Sequence, residues 1–175
     1  MGVFEVVTAK YNSSGVRQWI NFINSADPGT GFQRFPGNLV VSPGGNVYIT
    51  FEEVNSGNIS DSVLLKYDTN GKTQWSHKQS AVQSARPVAL GLDAHEKAYA
   101  LVDLSNQQQF GGDFTTIFKY DLNGNLLASF STDQVGLAHA FHVDSTGALY
   151  LLAFGNSGDN TVWQVASRRQ PGVAS

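Results

Sequence analysis

Few residues in this chain have both the type and the spacing that chemistry demands. The run Asp121-x-Asn123-x-Asn125 sets oxygen donors at alternate positions, as the opening of a calcium loop does. No later Glu closes such a loop, and the same Asp-x-Asn-Gly recurs at Asp68 with Lys72 in the last place, where an ammonium repels a cation. A hairpin turn is the expected use of both. His139 and His142 are three residues apart. A strand sends odd-spaced side chains to opposite faces, so without a bulge the pair cannot grip one metal. His77 and His95 have no partner nearby in sequence.

The carboxylates fare no better. Glu5, Asp61 and Asp159 each lie five residues before Lys10, Lys66 and Gln164, and Asp113 lies six before Lys119. One carboxylate per repeat fits a turn or the start of a strand, because a catalytic group is used once. Glu52 and Glu53 are adjacent, hence on opposite faces of a strand, and cannot form an acid/base pair by themselves. No Gly-x-Gly-x-x-Gly or phosphate loop opens a helix, and no 3.6-residue periodicity marks an amphipathic helix. No catalytic residue, metal ligand or cofactor is expected. Ser42, Asp93 and His142 are the polar residues that the first strands of the repeats offer an enzyme.

Trp19, Trp75 and Trp163 could stack on a sugar ring. Trp19 and Trp75 occupy equivalent places in a repeat, which favours packing between repeats, with Trp75 buried at the end of a fourth strand. Asn12-Ser13-Ser14 and Asn58-Ile59-Ser60 match the glycosylation acceptor and read as ordinary turns.

The elements that must position these residues come from the repeat. Lys10-Tyr11-Asn12-Ser13-Ser14-Gly15, Lys66-Tyr67-Asp68-Thr69-Asn70-Gly71 and Lys119-Tyr120-Asp121-Leu122-Asn123-Gly124 are versions of one segment. A second segment, ending on Tyr48, Tyr99 and Tyr150, recurs at intervals of 51 residues. Two interleaved markers with nearly one period predict a stack or ring of similar units. Each unit reads as four short antiparallel strands: 38–42, 46–53, 62–68 and 72–78 in one, then 88–93, 97–103, 114–120 and 125–131. The strands 138–144, 148–154 and 160–165 follow, and 3–11 with 16–23 come first. Ser42-Pro43-Gly44-Gly45-Asn46 and Asp68-Thr69-Asn70-Gly71 supply hairpin turns, Asn70 tolerating left-handed geometry and Gly71 placed for a bulge. Bulk on both faces of Val47-Tyr48-Ile49-Thr50-Phe51 predicts sheets covered on both sides.

The segment Lys10–Trp19, followed by an apolar strand and Gly45-Asn46-Val47-Tyr48-Ile49-Thr50, resembles the bacterial SBBP repeat, the seven-bladed β-propeller repeat; similarity to PQQ-like repeats is weaker. The pattern loosens later: Ala128 stands for the Trp, Glu96-Lys97 for Gly-Asn, Gln164-Val165 for Lys-Tyr, and Arg168-Arg169 where a turn glycine is expected. The resemblance implies an all-β propeller scaffold within large extracellular or periplasmic bacterial proteins, and no particular enzyme activity. Residues 1–167 form the repeat region, with a partial blade at 3–23, blades at 38–78, 88–131 and 138–165, and a tail at 168–175. The structural positions are Tyr11, Gly15, Trp19, Tyr48, Tyr67, Gly71, Trp75, Tyr99, Tyr120, Gly124 and Tyr150. A β-sandwich is the alternative fold.

Composition sets limits on function. A hydrophobic share of 41% with 11% aromatics predicts a folded core, while charged residues at 14% leave Asn, Gln, Ser, Thr and Gly to supply polarity. A net charge of -3 gives phosphate backbones and anionic membranes no electrostatic hold. No cysteine is present, so disulfides, thiolate metal sites and cysteine nucleophiles are excluded. The chain carries neither a signal peptide nor an apolar span. About three and a quarter blades are fewer than the four to eight that close a ring. A second copy of the chain or flanking blades of a longer one are therefore the expected partners, with a protein or glycan ligand. The expected function is non-catalytic binding or scaffolding. A fragment of a propeller hydrolase or lyase with a central-channel site is the alternative.

Overall fold

The computed structural model describes residues 5–23, 33–105, 114–131 and 138–153. The described residues are all-β, with twelve strands and no helix. Strands β3 (Gln33–Val41), β4 (Val47–Val54), β5 (Ser60–Tyr67) and β6 (Thr73–Ser80) form one antiparallel meander. β7 (Ser84–Leu92), β8 (Ala98–Ser105), β9 (Phe114–Tyr120) and β10 (Leu126–Ser131) form a second. β1 (Val6–Tyr11) with β2 (Arg17–Ile23), and β11 (Ala138–Val143) with β12 (Leu149–Ala153), are two-stranded hairpins. A single parallel step, Ser60 beside Ser84 with their hydroxyls 2.9 Å apart, links the two meanders. Among the described residues no sheet closes on itself. The expected strand at 160–165, with Trp163 and Asp159, lies outside the described residues, as does Asp113.

The first strand of each unit is longer than the sequence predicts. β3 begins at Gln33 rather than 38, and β7 at Ser84 rather than 88. Pro36 and Pro87 look like breakers, but each sits at a register shift, between Pro36 and Leu39 and between Pro87 and Ala89, where the ladder does not require its missing N–H.

The hairpin turns share one chemistry. Asn12, Asn55, Asp68, Asp93, Asp121 and Asp144 each turn a side-chain oxygen onto the backbone N–H groups two and four residues on. Ser42 Oγ accepts from Asn46 N in the same role. The fourth residue of each turn is left-handed: Gly15, Gly45, Gly71, Gly124 and Gly147, but also Asn58 at φ 58° and Glu96 at φ 57°. Asn70 itself does not take a positive φ; Gly71 does.

The core lies between sheets rather than inside one. Val6, Trp19 and Ile23 pack with Val47, Ile49, Val63, Leu65 and Tyr67. On the other face of the same meander, Tyr48, Leu64 and Trp75 pack with Leu90, Ala98, Ala100, Phe118 and Tyr120. Tyr99, Leu101 and Ile117 then meet Val143, Leu149 and Leu151. Alternation along a strand thus feeds two cores, Val63 and Leu65 to one and Leu64 to the other. The first strands of successive units lie side by side, β3 by β7 and β7 by β11. Asn38 Nδ2 donates to Val88 O across the first gap at 3.0 Å.

Candidate functional site

The Lys-Tyr segment builds the junction between units. Lys66 and Trp75 are cross-strand partners on β5 and β6. Lys66 Nζ and Trp75 Nε1 both donate to Leu122 O, at 2.9 and 3.1 Å, in the third turn of the next meander. One unit earlier, Lys10 and Trp19 are likewise paired, and both donate to Thr69 O at 3.1 Å. The indole lies on the turn glycine of the following unit. A Cβ on Gly71 would meet Trp19 Cδ2 at 2.7 Å, and one on Gly124 would meet Trp75 Cγ at 2.8 Å. Around Gly15, which receives no indole, the same space is open. Trp75 is half-buried rather than buried, and it is the third residue of β6 rather than the end of a strand. The turn carbonyl must be reached from the start of β6, so the ring keeps one border in solvent.

That border lines an open cleft of about 400 Å³ between the two complete meanders, with Asn46, Lys66, Gln74, Leu122 and Asn123. Glu96 stands at its side. It fills the left-handed position that Gly45 and Gly147 hold in the neighbouring repeats, and it reaches back to the first turn of the preceding meander. Glu96 Oε2 accepts from Asn46 Nδ2 at 3.0 Å and from Tyr48 OH at 3.5 Å. Partial burial works against its charge, but the Asn46 amide, the Ser42 hydroxyl, the Lys66 ammonium and the Gly44 N–H together hold its carboxyl below the usual range. Burial lowers the Lys66 ammonium, against the pull of Glu96 and Asp121. Burial, then the charge of Glu96 and its hydrogen bond, push the Tyr48 phenol well above its ordinary value. Lys66 Nζ also stands 5.2 Å from the centre of the Tyr48 ring, as Lys119 does 4.9 Å from that of Tyr99.

A second polar cluster sits at the other end of β4. Arg34 is bonded to Glu53, and Glu53 to Lys78, which also pairs with Asp61 at 3.2 Å. Arg86 of the next meander reaches Glu52 at 3.4 Å. Asp61 stands at the start of β5, where it is an ion-pair partner. Arg34 is buried, and its Nε and Nη1 have no hydrogen-bond partner among the described residues. The charges balance within the cluster, and in the second meander its central pair is replaced by Ala85 opposite Leu104. This arrangement holds strand ends together; it presents no accessible pair of carboxylates.

The remaining candidates find local roles. Both oxygens of Asp121 are engaged, Oδ1 by Asn123 N and Asn125 N and Oδ2 by Asn125 Nδ2, and these bonds hold its carboxyl below the usual range. Ser42 and Asp93 are buried turn residues, Asp93 Oδ2 also accepting from Tyr99 OH at 3.1 Å. His77 stacks on Tyr120 at 4.8 Å. His95 and His142 are exposed, and β11 has a register irregularity between Ala138 and Ala140, at His139. Glu5 is exposed at the start of β1. Tyr48, Tyr67, Tyr99 and Tyr120 are fully buried, whereas Tyr11 and Tyr150, on the two hairpins, are 58% and 40% exposed.

Glu96 and the Arg34 cluster were missed for different reasons. Glu96-Lys97 was visible as a departure from Gly-Asn, a usable signal, but it read as loss of the repeat. Arg34 fell before the predicted start of its strand. Protein-family models and curated proteins give no match to this chain.

Proposed function

We propose that this chain is an arc of a β-propeller of the kind its SBBP-like repeats imply, serving as a non-catalytic scaffold and binding module. The observation that carries the reading is the clamp repeated at consecutive junctions, in which the Lys and Trp of one unit close on the turn carbonyl of the next. Burial on both faces of the first complete meander adds support, since a two-sheet sandwich leaves each sheet an outer face. β1 and β2 correspond to the third and fourth strands of a unit, and β11 and β12 to the first and second. Strands of a second copy, or flanking units of a longer chain, would complete the ends of the arc and cover edges that otherwise recruit other strands. An extracellular or periplasmic setting belongs to the same proposal.

Electron microscopy of the purified chain tests it. Ring-shaped particles with radial sheets and a central opening are expected, each containing more than one copy. Two-layered slabs would sink the propeller reading.

A further inference from the structure

The cleft at Trp75 holds polar groups whose hydrogen-bonding capacity is unspent. Asn46 Oδ1, Gln74 Oε1 and the whole side-chain amide of Asn123 make no hydrogen bond among the described residues. Lys66 Nζ uses one of its three donors, on Leu122 O. The lining is nonetheless close to neutral, because Lys66 faces Glu96 and Asp121, so an anion meets no uncompensated cation. Glu96 supplies an independent observation. A side chain in the left-handed region where both neighbouring repeats use glycine is strained, and such strain is concentrated at functional sites. Its carboxylate holds Asn46 Nδ2 and so fixes the rotation of the amide that lines the cleft.

We propose that this cleft binds an uncharged oligosaccharide. Sugar hydroxyls both donate and accept, which matches a lining of amides and one ammonium. The solvent-facing border of Trp75 offers apolar contact to a sugar C–H face, while Gly124 occupies the ring near Cγ. Glu96 acts as a positioning residue for Asn46. The inference rests on reading the chain as a binding module and supplies that module's ligand class.

The test is calorimetric titration of the full chain with cellotetraose, maltotetraose, mannotetraose and chitotetraose, with tetragalacturonate as the charged comparison. Binding of at least one neutral tetrasaccharide is expected. Gln74→Ala and Asn123→Ala, both at exposed positions outside the Lys–Trp clamp, should each weaken it by about tenfold or more with an unchanged melting temperature. Failure of every neutral sugar at millimolar concentration, preference for the charged one, or unchanged affinity in both variants overturns the proposal. Ring-shaped particles without sugar binding would remove this site and leave the scaffold standing; sugar binding by a particle that is not a ring would do the reverse.

Discussion

Replacing each turn glycine by alanine separates backbone strain from the indole contact between units. Gly15, Gly71 and Gly124 have nearly equal φ values of 78°, 81° and 88°, so alanine is strained at all three. Left-handed geometry costs an L-residue about 1–2 kcal/mol, and the stiffer unfolded chain returns about 0.4–1 kcal/mol, leaving about 1 kcal/mol. Gly15→Ala should stop there, since its added methyl meets nothing within 4 Å. In Gly124→Ala the methyl would sit 2.8 Å from Trp75 Cγ, and displacing a packed ring adds about 1–3 kcal/mol. Total losses of roughly 2–4 kcal/mol in a chain of this size lower the melting temperature by about 4–16 °C, against about 2–4 °C for Gly15→Ala. Trp75→Ala itself should cost about 3 kcal/mol: half the 3–5 kcal/mol of a fully buried aromatic, plus about 1 kcal/mol for the Leu122 hydrogen bond. In that background Gly124→Ala should fall back to its strain cost, a coupling of about 1–3 kcal/mol. Scanning calorimetry on the four variants decides the matter. Equal melting temperatures for Gly15→Ala and Gly124→Ala, or strict additivity with Trp75→Ala, would show that the indole does not dock on the next unit.

Other perturbations test the remaining contacts. Glu96 has a depressed carboxyl pKa, so its stabilisation is present above the unfolded value of about 4.3 and is lost as pH falls through the folded value; the melting-temperature gap between wild type and Glu96→Gln at pH 7 should narrow as pH falls below that unfolded value, and a constant gap would refute this. Glu53→Leu strips Arg34 and Lys78 of their shared acceptor and should cost about 3–5 kcal/mol in urea unfolding. Arg34→Ala combined with Glu53→Leu installs the residues found at 85 and 104 and should recover most of that loss. Calcium or a chelator should leave the melting curve unchanged, because the oxygens of Asp121 are already taken by its own turn; stabilisation by more than a few degrees would contradict that assignment.

Strand pairing was legible in the sequence wherever local chemistry determines it. An Asp or Asn two residues before an N–H it can reach, followed by glycine at the left-handed position, specifies the same hairpin at Asn12, Asp68, Asp121 and Asp144 whatever surrounds it. The first strands were less legible, because Pro36 and Pro87 end a regular ladder but not a bulged one. Trp75 could be recognised as a docking residue from its equivalence to Trp19. Its partner could not, since the glycine it covers belongs to the next unit and lies 49 residues away along the chain. Burial was overestimated for the same reason: a repeat marks a contact without saying how far from the rim it lies.

Repetition and departure from it divide the labour in this chain. What recurs, namely the Lys–Trp clamp, the Asx turns and the buried tyrosines, holds one unit to the next and leaves little room for individuality. What does not recur is divided between the two faces of the first complete meander. On one rim Glu96 takes a glycine's place and holds Asn46 beside the cleft. At the far end of the same strands Glu53, on the face of Val47, Ile49 and Phe51, joins Arg34 and Lys78, while Glu52 on the other face meets Arg86 of the second meander. At the preceding junction Gly45 holds the place of Glu96, and in the following unit Ala128 stands for the tryptophan. Costly features of this kind, a strained backbone and a buried ion cluster, are the ones that a purely structural repeat would dispense with. Glu96 alone therefore marks the junction between the two complete meanders, and that junction carries the neutral, amide-lined cleft.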